Sequence, residues 1–284
     1  MTDLHTLEPG SLSYIETQIV APNVCSLQWT REGLADWASG GTLYTLEGET
    51  RSGGRAIYRF DAALVSPSGR FSVAYERLGT KGVIFEGSRI IREIDRSFYH
   101  ANQYEFPVAL SVLPDGDEAI IHCPKDYNRL EIERLSTGER LSRSDSRATQ
   151  DIFHSRLRVN ASGTLLADAC WFWHPWCHVN VYDLVQALEQ PQKLDEHDSL
   201  PFGIEFNDAM FFGDALMITT PSIPEDDQEP LELSTPNTVG VFDVASRGWR
   251  SIHRLEKPIG PFFPLSLRYI VSFYEYPKVV DLYT

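Results

Sequence analysis

The chain is predicted to fold as a single closed β-propeller, an all-β architecture, on three observations. First, Val65-Ser66-Pro67-Ser68-Gly69-Arg70-Phe71 returns as Val112-Leu113-Pro114-Asp115-Gly116-Asp117-Glu118, and again as Val159-Asn160-Ala161-Ser162-Gly163-Thr164-Leu165. The turn glycines fall at 69, 116 and 163, a step of 47 residues both times. A fixed period of this size, built from strands and tight turns, marks a repeat array. Second, a β-branched and aromatic run ending in an acid follows at a steady distance, as in Val179-Asn180-Val181-Tyr182-Asp183 and Val239-Gly240-Val241-Phe242-Asp243. Such runs read as strands. Third, the 284 residues are 42% hydrophobic and 12% aromatic, enough to fill large inter-sheet seams.

The repeating unit is strand a, a Gly turn, strand b, a variable loop, strand c, a second turn and strand d. Units are expected at 23–60, 62–97, 106–146, 152–197, 202–256 and 258–284. The last stops after its third strand. The segment 13–20 (Ser13-Tyr14-Ile15-Glu16-Thr17-Gln18-Ile19-Val20) is β-like and unassigned, so it is expected to complete that last sheet. Closing first and last segments into one sheet removes an open edge. This gives six blades. A count of seven stays open, because the 23–60 unit is short and its Thr30-Arg31-Glu32-Gly33 turn matches the pattern poorly. One helix is expected over Leu184–Gln190, capped by Asp183 and ended by Pro191.

The Ser-Pro-Ser-Gly turn at 66–69, the Leu-Pro-Asp-Gly turn at 113–116 and Val-Asn-Val-Tyr-Asp-Leu at 179–184 resemble WD40-type and TolB-like propeller blades. The resemblance spans about 60–284. The Gly-His and Trp-Asp dipeptides of a strict WD repeat are absent. It implies loops b–c and d–a opening on one face, around a central channel. Such folds host binding scaffolds and several enzyme classes.

Net charge is −15. That argues against a nucleic-acid surface, which needs clustered Lys and Arg. From Leu194 to Ser246 there are twelve Asp and Glu and no Lys or Arg, which would favour a basic partner and speed encounter. No apolar run is long enough to span a membrane. The first residues lack the basic start and apolar core of a signal peptide. Four cysteines (Cys25, Cys123, Cys170, Cys177) make no disulfide framework, so reduced thiols and a cytoplasmic location are expected.

The b–c loops carry the distinctive residues: Tyr127, then Trp173, His174 and Trp176, then Glu225, Asp226 and Asp227, then Tyr274 and Tyr276. Loops on a rigid scaffold carry function, and Trp and Tyr anchor interfaces. These nine residues are the expected binding face, with the acids at its rim. Cys170, His174, Cys177 and His178 invite a metal reading. With Pro175-Trp176 as the turn, alternation puts Cys170, His174 and Cys177 on one side and His178 on the other, so no metal or cofactor is expected. His122 and Cys123 are adjacent on a strand and point apart, against a catalytic dyad. No phosphate loop, HExxH or nucleophile elbow is present.

The leading expectation is a non-enzymatic protein-binding scaffold, including a neutralising, immunity-type partner of a basic protein or toxin. Two alternatives are a metal-dependent six-bladed hydrolase or lactonase, for which Glu205 and Asp208 could line the channel, and a structural subunit of a larger assembly. Oligomeric state is not legible.

Overall fold

The computed structural model describes residues 18–21, 24–54, 58–172, 176–196, 208–220, 237–272 and 274–283. These residues form six antiparallel sheets, each a meander of consecutive strands. They divide into two compact units, one holding the described residues up to Asp145 and the other those from Ser146 onward.

In the first unit, one sheet contains β1 (Leu27–Trp29), β2 (Gly33–Asp36), β3 (Thr42–Thr45) and β4 (Thr50–Arg51). The next contains β5 (Ala62–Val65), β6 (Phe71–Tyr75), β7 (Lys81–Glu86) and β8 (Arg89–Asp95). The third contains β9 (Val108–Val112), β10 (Glu118–His122) and β11 (Glu131–Arg134). In the second unit the sheets are β12 (Arg158–Val159), β13 (Leu165–Phe172) and β14 (Trp176–Asp183); then β15 (Asp208–Phe212), β16 (Ala215–Thr219), β17 (Thr238–Asp243) and β18 (Gly248–Arg254); then β19 (Phe262–Pro264), β20 (Tyr269–Ser272) and β21 (Lys278–Asp281).

Among the described residues three sheets have three strands where the repeat pattern predicts four. Beside β11, residues 139–141 run close but irregular, with the Arg134 N–H on the Glu139 carbonyl and the Leu141 N–H on the Ile132 carbonyl. After β14 the chain turns into α1 (Leu184–Glu189), where the Asp183 carboxylate accepts from the Gln186 N–H as an N-cap. The expected strand over 13–20 lies mostly outside the described residues; Gln18, Ile19 and Val20 belong to no strand.

The repeated turns are alike to the hydrogen bond. The N–H of Gly69 reaches the Ser66 carbonyl, that of Gly116 the Leu113 carbonyl and that of Gly163 the Asn160 carbonyl. The three glycines have φ of 78°, 84° and 76°, the left-handed region where a Cβ is strained.

Alternation then sorts side chains into the seams. Phe71 and Val73 of β6 meet Val108 of β9 and Ile120 of β10, with Ile84, Ile94 and Phe106. In the second unit Val179, Leu216, Ile218 and Phe242 fill one seam, and Met217, Val239, Val241, Phe262 and Ile270 the next. The turn serines also join sheets. Ser66 Oγ (2.9 Å), Ser68 N–H (2.9 Å) and Ser68 Oγ (2.8 Å) all donate to the buried Glu118 carboxylate, which opens β10 of the next sheet. Asn160 repeats the device, donating from Nδ2 to Asp214 at 2.9 Å. Because Glu118 is buried and Asp214 is exposed, Glu118→Ala is expected to cost about 2 kcal/mol and Asp214→Ala under about 1 kcal/mol in urea unfolding. Equal costs would mean that the staple does not depend on burial.

Candidate functional site

Three connections of the first unit meet at the end opposite the repeated turns: 76–80 between β6 and β7, 96–107 between β8 and β9, and 123–130 between β10 and β11. Arg96 ties two of them together. Its side chain is buried. Its Nε donates to the Gly79 carbonyl at 2.6 Å, and its Nη2 donates to the carbonyls of Ala101 (2.6 Å) and Tyr104 (3.1 Å). The guanidinium also lies 4.5 Å from the Tyr104 ring centre and 5.1 Å from that of Phe106. Burial pulls the Arg96 pKa down and pushes the Tyr104 phenol up to about 12. The Phe106 N–H closes the junction on the Arg77 carbonyl.

This clamp presents Phe98-Tyr99-His100 outward. Phe98 is 81% exposed, and Tyr99 and Leu78 are exposed beside it. The Tyr99 ring lies 4.9 Å from Tyr127 and 4.5 Å from His100. Tyr127, one of the residues of the expected binding face, lies against Tyr99 of the 96–107 connection. Reading the b–c loops alone missed Phe98 and Tyr99. The signal was an aromatic triplet directly after a strand, at the d–a position that opens on the same end.

Tyr274 and Tyr276 are also exposed, in the β20–β21 connection of the second unit. Lys278 Nζ lies 4.4 Å from the Tyr276 ring centre and 5.8 Å from that of Tyr274. Lys257 donates to the Tyr276 hydroxyl at 3.2 Å. Part of this aromatic surface is therefore taken up by the chain's own ammonium groups. Trp173, His174, Glu225, Asp226 and Asp227 lie outside the described residues, as does Glu205.

The hairpin register needs correction. Cys170 stands opposite His178, Trp171 opposite Cys177 and Phe172 opposite Trp176. Trp176 is the first residue of β14 and not part of the turn, because the connection takes three residues, 173–175. Cys170 and His178 therefore share a face, and Cys177 shares the other with Trp171. Burial raises the Cys170 thiol pKa well above its ordinary value, and Asn180 Nδ2 donates to its sulfur at 3.2 Å. Among the described residues no three His, Cys, Asp or Glu side chains gather as a metal site.

His122 and Cys123 are both buried. The His122 ring Nε2 lies 3.2 Å from Glu133 of β11, which also meets Arg92 at 2.9 Å and Arg140 at 3.3 Å. Burial raises the Glu133 pKa, but the His122 hydrogen bond and the charges of His122 and Arg92 outweigh it and bring the carboxyl to about 2. A depressed carboxyl stabilises the fold above its unfolded value near 4.5 and loses that contribution as pH falls through about 2. The midpoint of urea unfolding is expected to fall over this window, and Glu133→Gln to flatten the slope. An unchanged slope would remove the network from the acid response.

Asp208, which the hydrolase alternative places at the channel, is the buried first residue of β15. Its Oδ1 accepts from the Ala209 N–H at 3.0 Å and its Oδ2 from the Phe262 N–H at 3.5 Å, joining β15 to β19. Burial raises its pKa.

No helix among the described residues is long and apolar enough to cross a membrane. No family model matches the chain, and no curated protein matches it. Its fold is similar to that of hydrazine synthase from Kuenenia stuttgartiensis. The TM-score is 0.58 at 14% identity, over 95% of this chain and 80% of that one. At that identity the likeness is one of fold alone. A nidogen/laminin complex matches at a TM-score of 0.43 and 12% identity, over 78% of this chain and 74% of that one, a level that carries no argument.

Proposed function

We propose that the chain is a non-enzymatic protein-binding scaffold, a closed six-bladed propeller that recognises a partner through its loop end. Six successive antiparallel meanders and a fold likeness spanning 95% of the chain support the propeller reading. The observation that carries the function is Phe98, 81% exposed on a loop that Arg96 holds at the Ala101 and Tyr104 carbonyls and ties to the neighbouring connection at the Gly79 carbonyl. A large exposed aromatic on a flexible loop would lose much of its contact energy to ordering. One on a clamped loop is already positioned, which lowers the cost of binding. Tyr99 and Tyr127 extend the surface beside it. Rigid aromatic side chains at the centre of a contact carry most of its energy. The net charge of −15 favours a basic partner, and a neutralising role toward such a protein is the narrower form of this proposal.

Phe98→Ser tests it by quantitative affinity capture alongside thermal melting. Melting is expected to stay within about 0.5 kcal/mol of the parent, as for exposed positions. Partner affinity is expected to drop by about 2 kcal/mol or more, as for a hot-spot residue. Partners kept at full yield by Phe98→Ser and by Tyr127→Ala would sink the assignment.

A further inference from the structure

Among the described residues, the seam between the first two sheets holds fewer buried hydrophobic residues than three other seams. Seven or eight buried hydrophobic residues fill each of three other seams. Here the corresponding cluster is Ala35, Trp37 and Ala63, with Leu43 and Val65 half-buried against it. Tyr58 and Phe60 cover another part of the same face of the second sheet, over Ala74, Val83 and Phe85. What remains is a pocket of about 650 Å³, within the size range of small-molecule sites. Ser52, Gly53 and Gly41 form part of its lining, where 52–54 lies on the β2–β3 turn. A Cβ on Gly53 would fall 2.2 Å from the Gly41 carbonyl oxygen, so the approach depends on glycine.

The lining joins two kinds of chemistry. Trp37, buried, and Trp29, 67% exposed, both line the pocket. The rim carries Arg31. Three other arginines of these two sheets are paired: Arg51 with Glu32 and Glu49, and Arg70 and Arg89 with Glu86. Arg31 makes no ion pair among the described residues, in a chain with fifteen more acids than bases. Ser88, also lining the pocket, has a hydroxyl that bonds nothing else among the described residues. A cation without a counter-ion, a hydroxyl and two indole surfaces around one cavity complement a flat ring bearing an anion.

We infer that this pocket binds a small planar aromatic carboxylate, with the ring against Trp29 and Trp37 and the carboxylate on Arg31 and Ser88. The site is separate from the aromatic ridge of the loop end and does not rest on the protein-binding proposal.

Isothermal titration of the full chain with 2-naphthoate tests it, with neutral 2-naphthylmethanol and acetate as controls. Saturable binding of 2-naphthoate is expected, with weaker binding of both controls. Arg31→Gln is expected to weaken 2-naphthoate by about tenfold, the usual worth of a charge-assisted hydrogen bond, and to leave the alcohol unchanged. Trp29→Ala is expected to weaken both ring compounds. Both are surface positions, and circular dichroism checks that the variants fold. Equal affinity for acid and alcohol would remove the anion subsite. Failure of 2-naphthoate to bind, or binding that neither variant changes, would overturn the proposal.

Discussion

Arg96→Met is expected to destabilise the protein by about 3 kcal/mol and, on the proposed binding role, to remove partner capture along with it. Methionine has the length to pack against Tyr104 and Phe106, so little volume is lost. It has no donors, and the carbonyls of Gly79, Ala101 and Tyr104 lose the groups that satisfy them. Each buried carbonyl left without a donor costs about 1 kcal/mol or more. Relief from burying a guanidinium works the other way, since burial disfavours the charge and pulls the Arg96 pKa down. The donors win, because three charge-assisted bonds to fixed carbonyls exceed what removing one half-compensated charge returns. Arg96→Lys should rescue only a small part. A single ammonium cannot reproduce a planar fork that serves Gly79 on one side and Ala101 and Tyr104 on the other. Urea unfolding of the two variants measures the cost. A loss under about 1 kcal/mol for methionine would show that the 96–107 connection is held by other contacts.

Arg96 also shows where sequence reading stops. The repeated turns were legible because their causes are local. A carbonyl at Ser66, Leu113 or Asn160, a Gly three positions on, and an apolar strand start are all visible within ten residues. The capped helix at 184–189 was legible for the same reason, since Asp183 acts on Gln186. The partners of Ser66 and Ser68 were not, because Glu118 lies 52 and 50 residues away. Nothing in the Ser-Pro-Ser-Gly pattern says that its hydroxyls join it to the next sheet. The Cys170–His178 register failed on a single count, the length of the connection. Pairing at the wrong position moved His178 to the wrong face, as any slip by an odd number does. At the loop end Tyr127 was legible as an aromatic in a variable loop. Phe98 and Tyr99 were not chosen, because their place beside Tyr127 depends on which connections share an end and on the clamp beneath them. The pocket at Trp29 was invisible as well. An under-filled seam is a property of two sheets together, not of either strand pattern.

The other large effect is expected at Asp168, on β13. Its Oδ1 accepts from the Ser155 N–H at 3.0 Å, and its Oδ2 lies 2.6 Å from His154 Nδ1. Both side chains are fully buried. The pair fixes the chain before β12, where Phe153 and Trp171 exchange backbone hydrogen bonds. Asp36 on β2 does comparable work in the first unit, accepting from Cys25 N–H, Ser26 N–H and Ser26 Oγ at 2.9, 2.9 and 3.1 Å. In both places a buried carboxylate on the second strand gathers the donors of the segment leading into the first. Asp168→Ala leaves a buried imidazole and a buried amide without their acceptor, at a cost of about 1–3 kcal/mol for each group left unsatisfied. Asp168→Asn is expected to cost less, about 1–2 kcal/mol, as for a neutral hydrogen bond in place of a charged one. Its carboxamide oxygen can still accept from Ser155, and its NH2 can donate to the other tautomer of His154. The order of the two variants in urea unfolding is the decisive reading. If asparagine costs as much as alanine, the negative charge itself is required at this position. If both cost under about 1 kcal/mol, the segment before β12 is secured by the Phe153–Trp171 bridge alone.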